Sequence, residues 1–370
     1  MKVFFYVQHL LGVGHLQRAA AIARALRAQG DQVVLASGGA AVSSIPVDVQ
    51  LPAASAADLT FRALHDEHGQ PVDDAWKRRR AGALLDAWRA SHADALVIEL
   101  FPFGRRQMRF ELLPLLEDAQ RLPRRPLIVC SVRDILQPRP EREAETVELV
   151  QRFFDRVLVH GDPALAGFER TFGALERIAE RVHYTGYVAR HSAASASEGA
   201  GEVLVSAGGG AAAGRLLQTA IAAREATLLR NATWRLIAGR NAGEQALRAL
   251  SREAPPGIVV ERNREDFAGR LASAALSISQ AGYNTVVEIL QARVRAVLVP
   301  FAGARELEQT LRAELLAARG AATLVEESAL CARSLAEAVN RAARGPRPPA
   351  DLVKLDGARR SAELIRAWLN

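Results

Sequence analysis

The sequence predicts an α/β protein built from two doubly wound, Rossmann-like domains that face one another across a cleft. Three observations carry that expectation. Short apolar, β-branched runs alternate with longer Ala-, Leu- and Arg-rich segments of helical period along nearly all 370 residues. The alternation restarts after a low-complexity stretch, SAASASEGAG (192–201), which reads as an interdomain linker. Each half also opens with a strand that ends in glycines: Gly12-Val13-Gly14-His15 in the first, Gly208-Gly209-Gly210 in the second. The expected division is 1–190, a linker at 191–201, and 202–357, with ARRSAELIRAWLN (358–370) an amphipathic helix crossing back onto the first domain.

The elements follow in order. VFFYV (3–7) is the first strand, and an Ala-rich helix runs from about His15 to Gln29, where Gly30 stops it. QVVLAS (32–37), ALVIEL (95–100), PLIVCS (126–131) and RVLVH (156–160) continue the first sheet. The second sheet takes VLVSAGG (203–209), WRLIAG (234–239), GIVVE (257–261), LSIS (276–279) and AVLVP (296–300). Each run is apolar nearly throughout, as parallel strands covered on both faces are. Ligands of such sheets bind beyond the carboxyl ends of the strands, so strand exits are where chemistry is sought.

Bulk properties exclude several classes. Apolar content of 49% with 24% charged residues is that of a soluble globular chain. The net charge of +7 gathers in Lys77-Arg78-Arg79-Arg80, Arg105-Arg106 and Arg121 to Arg125. Such runs serve an anionic acceptor or an anionic membrane face, or are plain solvated helix faces. Nucleic acid is disfavoured, because aromatic residues are only 5% and no stacking platform is evident. Cys130 and Cys331 are far apart and fit neither a disulfide framework nor a metal site, which agrees with a reducing cytoplasm. No apolar stretch approaches the ~20 residues of a membrane-spanning helix.

The candidates sit at strand exits. His15 opens the first helix, where the helix dipole favours a neutral imidazole able to act as a general base; the bland alternative is a helix-capping His. Glu99 ends ALVIEL and is placed to orient that imidazole; the bland alternative is a surface carboxylate. His9 reads as shaping the same loop, and Gly12 and Gly14 allow close backbone approach. In the second half, Gly208, Gly209 and Gly210 present bare N–H groups to a diphosphate. Gly282-Tyr283-Asn284-Thr285 opens a helix whose N–H groups face an anion, with Glu288 one turn inside, placed for a sugar hydroxyl pair. Arg240, Arg262 and Asn263 end neighbouring strands and are candidates for phosphate and base, while Glu306, Glu308 and Gln309 are candidates for a transferred sugar. The remaining histidines have no metal-like spacing, and no metal or cofactor is expected.

Together these segments are recognisable. FYVQHLLGVGHLQRAAAIARAL, ELFPFGRRQMRFELLPLLE, VCSVRDIL and VLVHGDPAL resemble the GT-B superfamily of glycosyltransferases, specifically the bacterial MurG-like group and its "predicted glycosyltransferase" branch. The resemblance implies that His15 is the catalytic base and Glu99 its acidic partner, with Glu where the related enzymes carry Asp. It implies that Gly208 to Gly210 and the Ala281-Gly282 turn hold the donor diphosphate, and that Glu288 holds ribose. Two departures stand out. Ser279-Gln280-Ala281-Gly282 replaces an S-R-A-G pattern, and Glu308-Gln309 is followed by Arg312 where MurG-like chains carry Asn.

The expected activity is therefore an inverting, metal-independent hexosyl transfer from a nucleotide-diphosphate sugar, a UDP-sugar, to an acceptor hydroxyl. A nucleotide-sugar hydrolase or epimerase on the same fold, and a non-catalytic sugar-nucleotide-binding protein, are the alternatives. A small-molecule or lipid-linked acceptor, and work in the cytoplasm or at the inner membrane face, complete the expectation.

Overall fold

The computed structural model describes residues 1–10, 12–56, 63–189, 200–207, 213–239, 243–262, 266–303 and 307–369. The chain divides into two compact units, Met1–Arg190 with Lys354–Asn370, and His191–Val353.

In the N-terminal unit, β1 (Lys2–Val7) leads through α1 (Gly14–Ala28) to β2 (Gln32–Ser37) and β3 (Val49–Gln50). A two-residue antiparallel pair, β4 (Ser55–Ala56) and β5 (Leu64–His65), precedes α2 (Asp74–Ser91). Then come β6 (Ala95–Glu99), α3 (Arg109–Arg121), β7 (Leu127–Arg133), α4 (Pro140–Phe153), β8 (Arg156–His160) and β9 (Val182–Tyr184). The sheet order is β3-β2-β1-β6-β7-β8-β9, and every pairing is parallel. The strand order reverses between β1 and β6, which makes their carboxyl ends the topological switch point.

Burial explains why these runs become strands. Phe4 and Tyr6 of β1 pack on one side with Leu84, Trp88 and Leu112. Val3, Phe5 and Val7 pack on the other with Leu16, Ala19 and Ile22 of α1. The two-residue period of a strand thus feeds two apolar layers at once.

The C-terminal unit repeats the plan with β10 (Val203–Ala207), α5 (Ala213–Ala223), β11 (Trp234–Ala238), α6 (Glu244–Glu253), β12 (Ile258–Arg262), α7 (Phe267–Ser273) and β13 (Leu276–Ser279). It continues through α8 (Tyr283–Ala292), β14 (Ala296–Leu298), α9 (Glu308–Ala318), β15 (Thr323–Leu324) and α10 (Ala332–Arg344). Its parallel sheet runs β12-β11-β10-β13-β14-β15, with its own reversal between β10 and β13.

The chain then returns to the N-terminal unit. Tyr187 N donates to Lys354 O at 2.7 Å, and Gly357 N donates to Tyr187 O at 3.0 Å. Gly186, with φ +82°, lets the strands pass this closely, because a Cβ there would lie 2.9 Å from the Lys354 carbonyl oxygen. α11 (Gly357–Leu369) then buries Ala362 and Ile365 against the α1 layer. No described helix is long and apolar enough to cross a membrane.

Candidate active site

At the first switch point, β1 gives way to a loop that its own side chains hold. Gln8 Nε2 donates to His9 O at 2.8 Å and to Ala54 O at 3.1 Å. His9 is 4% exposed, with Nε2 donating to Ala40 O at 3.1 Å. Gly39 has no room for a side chain, since a Cβ would meet the His9 ring at 2.4 Å. The loop then enters α1 at Gly14, with Val13 as N-cap and no side-chain cap. His15 is thus not a capping residue. Its Nδ1 lies 2.9 Å from Glu99 Oε1.

Glu99 closes β6 and is fully buried, not a surface carboxylate. One turn beyond His15, Arg18 Nη2 donates to the same Oε1, and it lies 3.0 Å from His15 Nδ1. The other carboxylate oxygen accepts from Ser131 Oγ at 2.5 Å. Burial alone would raise the Glu99 pKa, but the Arg18 guanidinium and the His15 hydrogen bond hold it well below the usual carboxylate range. An ionised carboxylate only accepts, so the 2.9 Å contact with Glu99 is a hydrogen bond when His15 carries its proton on Nδ1 and its lone pair on Nε2; the opposite tautomer would take Arg18 Nη2 on Nδ1 instead. The His15 side chain keeps 15% of its surface open. Burial first, and the Arg105 charge next, lower its pKa to about 3, so the ring is neutral at neutral pH.

A second buried cluster braces the same loop. Arg80 donates to Glu111 through Nε at 2.7 Å and Nη2 at 2.9 Å, to Gly38 O at 2.8 Å and to Gln8 Oε1 at 2.5 Å. Tyr6 OH donates to Glu111 at 2.5 Å. This corrects the reading of Arg80 as part of a basic face for an anionic partner, because its side chain is fully buried and ion-paired. Arg105 is half-buried, with Nε donating to Gln8 O at 2.9 Å. Arg106 pairs with Glu145 at 2.9 Å, while Arg78 and Arg79 remain exposed.

At the second switch point, Ser279 leads through Gln280 and Ala281 into Gly282, the N-cap of α8. Among the described residues nothing lies within 4 Å of where a Gly282 Cβ would stand, so none of them fills the space in front of the turn. α9 clasps this turn from behind. Gln309 Oε1 accepts from Ala281 N at 3.1 Å and from Phe301 N at 3.2 Å. Arg312 Nη1 donates to Ala281 O at 3.0 Å, Nη2 donates to Glu308 Oε1 at 3.0 Å, and its guanidinium stands 5.7 Å from the Tyr283 ring centroid. Glu308 and Gln309, sought on a transferred sugar, thus spend these contacts on protein. Asn284 and Thr285 are half-buried, and Glu288 is 6% exposed. Arg262 pairs with Glu244 at an exposed edge. Gly208, Gly209, Gly210, Arg240, Asn263 and Glu306 lie outside the described residues.

Sequence reasoning missed Arg18, Ser131, His160 and the Arg312 clasp. Among the described residues no group of three His, Cys, Asp or Glu is arranged to hold a metal ion.

Two parallel sheets, each with a reversal and a candidate site at its carboxyl edge, define the GT-B class of fold. Comparison with solved structures agrees along the whole chain. The glycosyltransferase of kitacinnamycin is 18% identical, with a TM-score of 0.64 and coverage of 100% of this chain and 99% of that one. MurG of Acinetobacter baumannii is 19% identical, with a TM-score of 0.57 over 99% of this chain and 100% of that one. The spinosyn rhamnosyltransferase SpnG, solved with thymidine diphosphate, is 15% identical, with a TM-score of 0.62 and full coverage of both chains (100% each).

Residues 203–355, nearly all in the C-terminal unit, match the Glycosyltransferase family 28 C-terminal domain. Among curated relatives, the UDP-N-acetylglucosamine--N-acetylmuramyl-(pentapeptide) pyrophosphoryl-undecaprenol N-acetylglucosamine transferase of Cupriavidus necator is 38% identical over 105 residues. That match covers 27% of this chain and 30% of the relative. The enzyme of the same name from Thiobacillus denitrificans is 36% identical over 127 residues, 33% of this chain and 35% of the relative. The chain thus spans about a third of the length of these two relatives.

Proposed function

We propose that the protein transfers a hexosyl group from a nucleotide-diphosphate sugar, a UDP-sugar, to an acceptor hydroxyl, with inversion at the anomeric carbon and without a metal. The N-terminal unit serves the acceptor and the C-terminal unit serves the donor. The single observation that carries this reading is His15 at the β1–β6 switch point, neutral, with Nδ1 taken by a buried carboxylate at 2.9 Å.

His15 Nε2 removes the acceptor's hydroxyl proton as that oxygen attacks the anomeric carbon. The C–O bond to the nucleoside diphosphate breaks, and the departing negative charge is met by the N–H groups opening α8 and by the Gly208–Gly210 segment. Glu99 stabilises the imidazolium that forms. Glu288 binds ribose, and Arg262 and Asn263 serve the base. In keeping with its bacterial relatives, we place the enzyme in a bacterial cytoplasm or at the inner membrane face, where exposed Arg78 and Arg79 provide positive charge.

Incubation with a panel of UDP- and dTDP-sugars tests the reading. Slow release of nucleoside diphosphate that accelerates when an acceptor is added is the expected result. Fast release without acceptor would make the protein a hydrolase, and binding without release would make it a sensor.

A further inference from the structure

The hydrogen bonds behind Glu99 run one way. Its Oε2 faces the Ser131 hydroxyl at 2.5 Å, and because the carboxylate only accepts, Ser131 donates. The Ser131 oxygen then accepts from His160 Nε2 at 2.8 Å, which makes Nε2 the protonated nitrogen. His160 is neutral, since burial first and the Arg18 charge next lower its pKa to about 3. Its Nδ1 therefore carries a lone pair; Thr185 Oγ1 lies 2.9 Å from it and shares its one proton between this nitrogen and Gly186 O at 2.8 Å. The opposite His160 tautomer would turn the Ser131 proton away and leave two oxygens 2.5 Å apart with no hydrogen between them. Glu99, Ser131 and His160 are fully buried and Thr185 is 2% exposed, so water does not compete for these bonds.

The far end of the run is anchored. Thr185 precedes Gly186, whose N donates to Gly161 O at 3.1 Å. Next along, Tyr187 OH donates to Asp134 Oδ2 at 2.7 Å. A Glu also has more rotatable bonds than an Asp, so holding its carboxylate in one place needs more partners.

We propose that Ser131 and His160 are positioning residues: the one-way run from His160 through Ser131 fixes the Glu99 carboxylate so that it takes the Nδ1 proton of His15 and leaves Nε2 as the base. This rests on the reading of His15 as the base. Neither residue touches substrate.

The test uses the full-length protein labelled with ¹⁵N-histidine. In the wild type, His15 should be protonated on Nδ1 and unprotonated on Nε2 at neutral pH. Ser131→Ala and His160→Phe should each give a mixture of tautomers. His160→Gln, whose amide still donates towards Ser131, should restore the single form. Turnover of the sugar nucleotide should fall about 10- to 100-fold in kcat, the scale for losing a partner that orients a functional side chain, with KM little changed. Ser131→Thr, which keeps the hydroxyl, should stay near wild type. If His160→Phe does not fold, His160→Leu removes the same donor with a smaller side chain.

An Nε2-protonated His15 in the wild type overturns the proposal. So does an unchanged tautomer and pH profile in folded Ser131→Ala. A folded His15→Ala enzyme with full turnover would instead refute the base assignment and leave the tautomer result standing.

Discussion

The two candidate sites occupy the same place in two sheets of like topology, yet they are made of different material. At the β1–β6 exit the working groups are side chains: His15, Glu99, Arg18 and Ser131 bond to one another in a buried cluster. At the β13 exit they are backbone groups: an open Gly282 turn whose shape is held from behind by Gln309 and Arg312. A site that moves a proton needs an atom of defined basicity, and that comes from side chains in a chosen field. A site that receives a diphosphate needs several N–H donors at fixed spacing, and main chain at a helix start provides them. Loss of one side chain should therefore damage the first site far more than the second.

The sharpest way to break this contrast is His15→Ala. Turnover with an accepted acceptor should fall about two to four orders of magnitude, the usual weight of a general base. UDP affinity measured by calorimetry should stay close to wild type. Near-normal turnover in the variant would remove the first site from catalysis. A collapse of UDP affinity would show that the two sites are not separable as described.

How much of this was legible in the sequence differs between the two sites for a physical reason. Parallel strands must be apolar on both faces, so all the major strands stand out as short runs, and a carboxylate closing such a run, Glu99, is conspicuous. The partners that set the site's electrostatics are not conspicuous. Ser131 is 32 residues from Glu99, and His160 a further 29 from Ser131, and only strand order brings them together. Arg80 was hidden in a basic run. Its spacing was the available signal, since Trp76, Arg80, Leu84 and Trp88 recur every fourth residue and form the buried stripe of α2. In the second site the turn itself was readable from Ala281-Gly282, but the α9 clasp was not. Arg312 engages one oxygen of Glu308, and two backbone N–H groups engage Gln309 Oε1, contacts that only the fold brings together.

A smaller effect sharpens the second site. If Glu288, one turn inside α8, accepts from the ribose hydroxyls, Glu288→Ala should weaken UDP binding by about 1–3 kcal/mol, the range for a hydrogen bond to a charged group. Calorimetry would read this directly, and Glu288→Gln, which still accepts a hydrogen bond, should lose less. Unchanged affinity in a folded Glu288→Ala protein would leave recognition there to backbone alone, and the contrast between the sites would become stronger than drawn.

The smallest expected effect is a shift in pH dependence at the first site. Arg105, whose own pKa is lowered to about 10, is still charged at neutral pH, and its charge is the second cause, after burial, of the lowered His15 pKa. A nearby cation disfavours the protonated imidazole, so removing it must raise the His15 pKa. Burial remains, so the new value should stay below the ordinary 6.5. In the wild type, His15 stays unprotonated down to about pH 3, and its acid limb in kcat/KM should lie well below 6.5. In Arg105→Gln that limb should move upward, and activity should begin to fall at a higher pH as the solution is acidified. Arg106→Gln is the control, because Arg106 is exposed and paired with Glu145, and it should leave the limb in place. An unmoved limb in Arg105→Gln would mean that burial alone holds His15 neutral, and that the field at the first site is set by solvent exclusion rather than by the charged side chains around it.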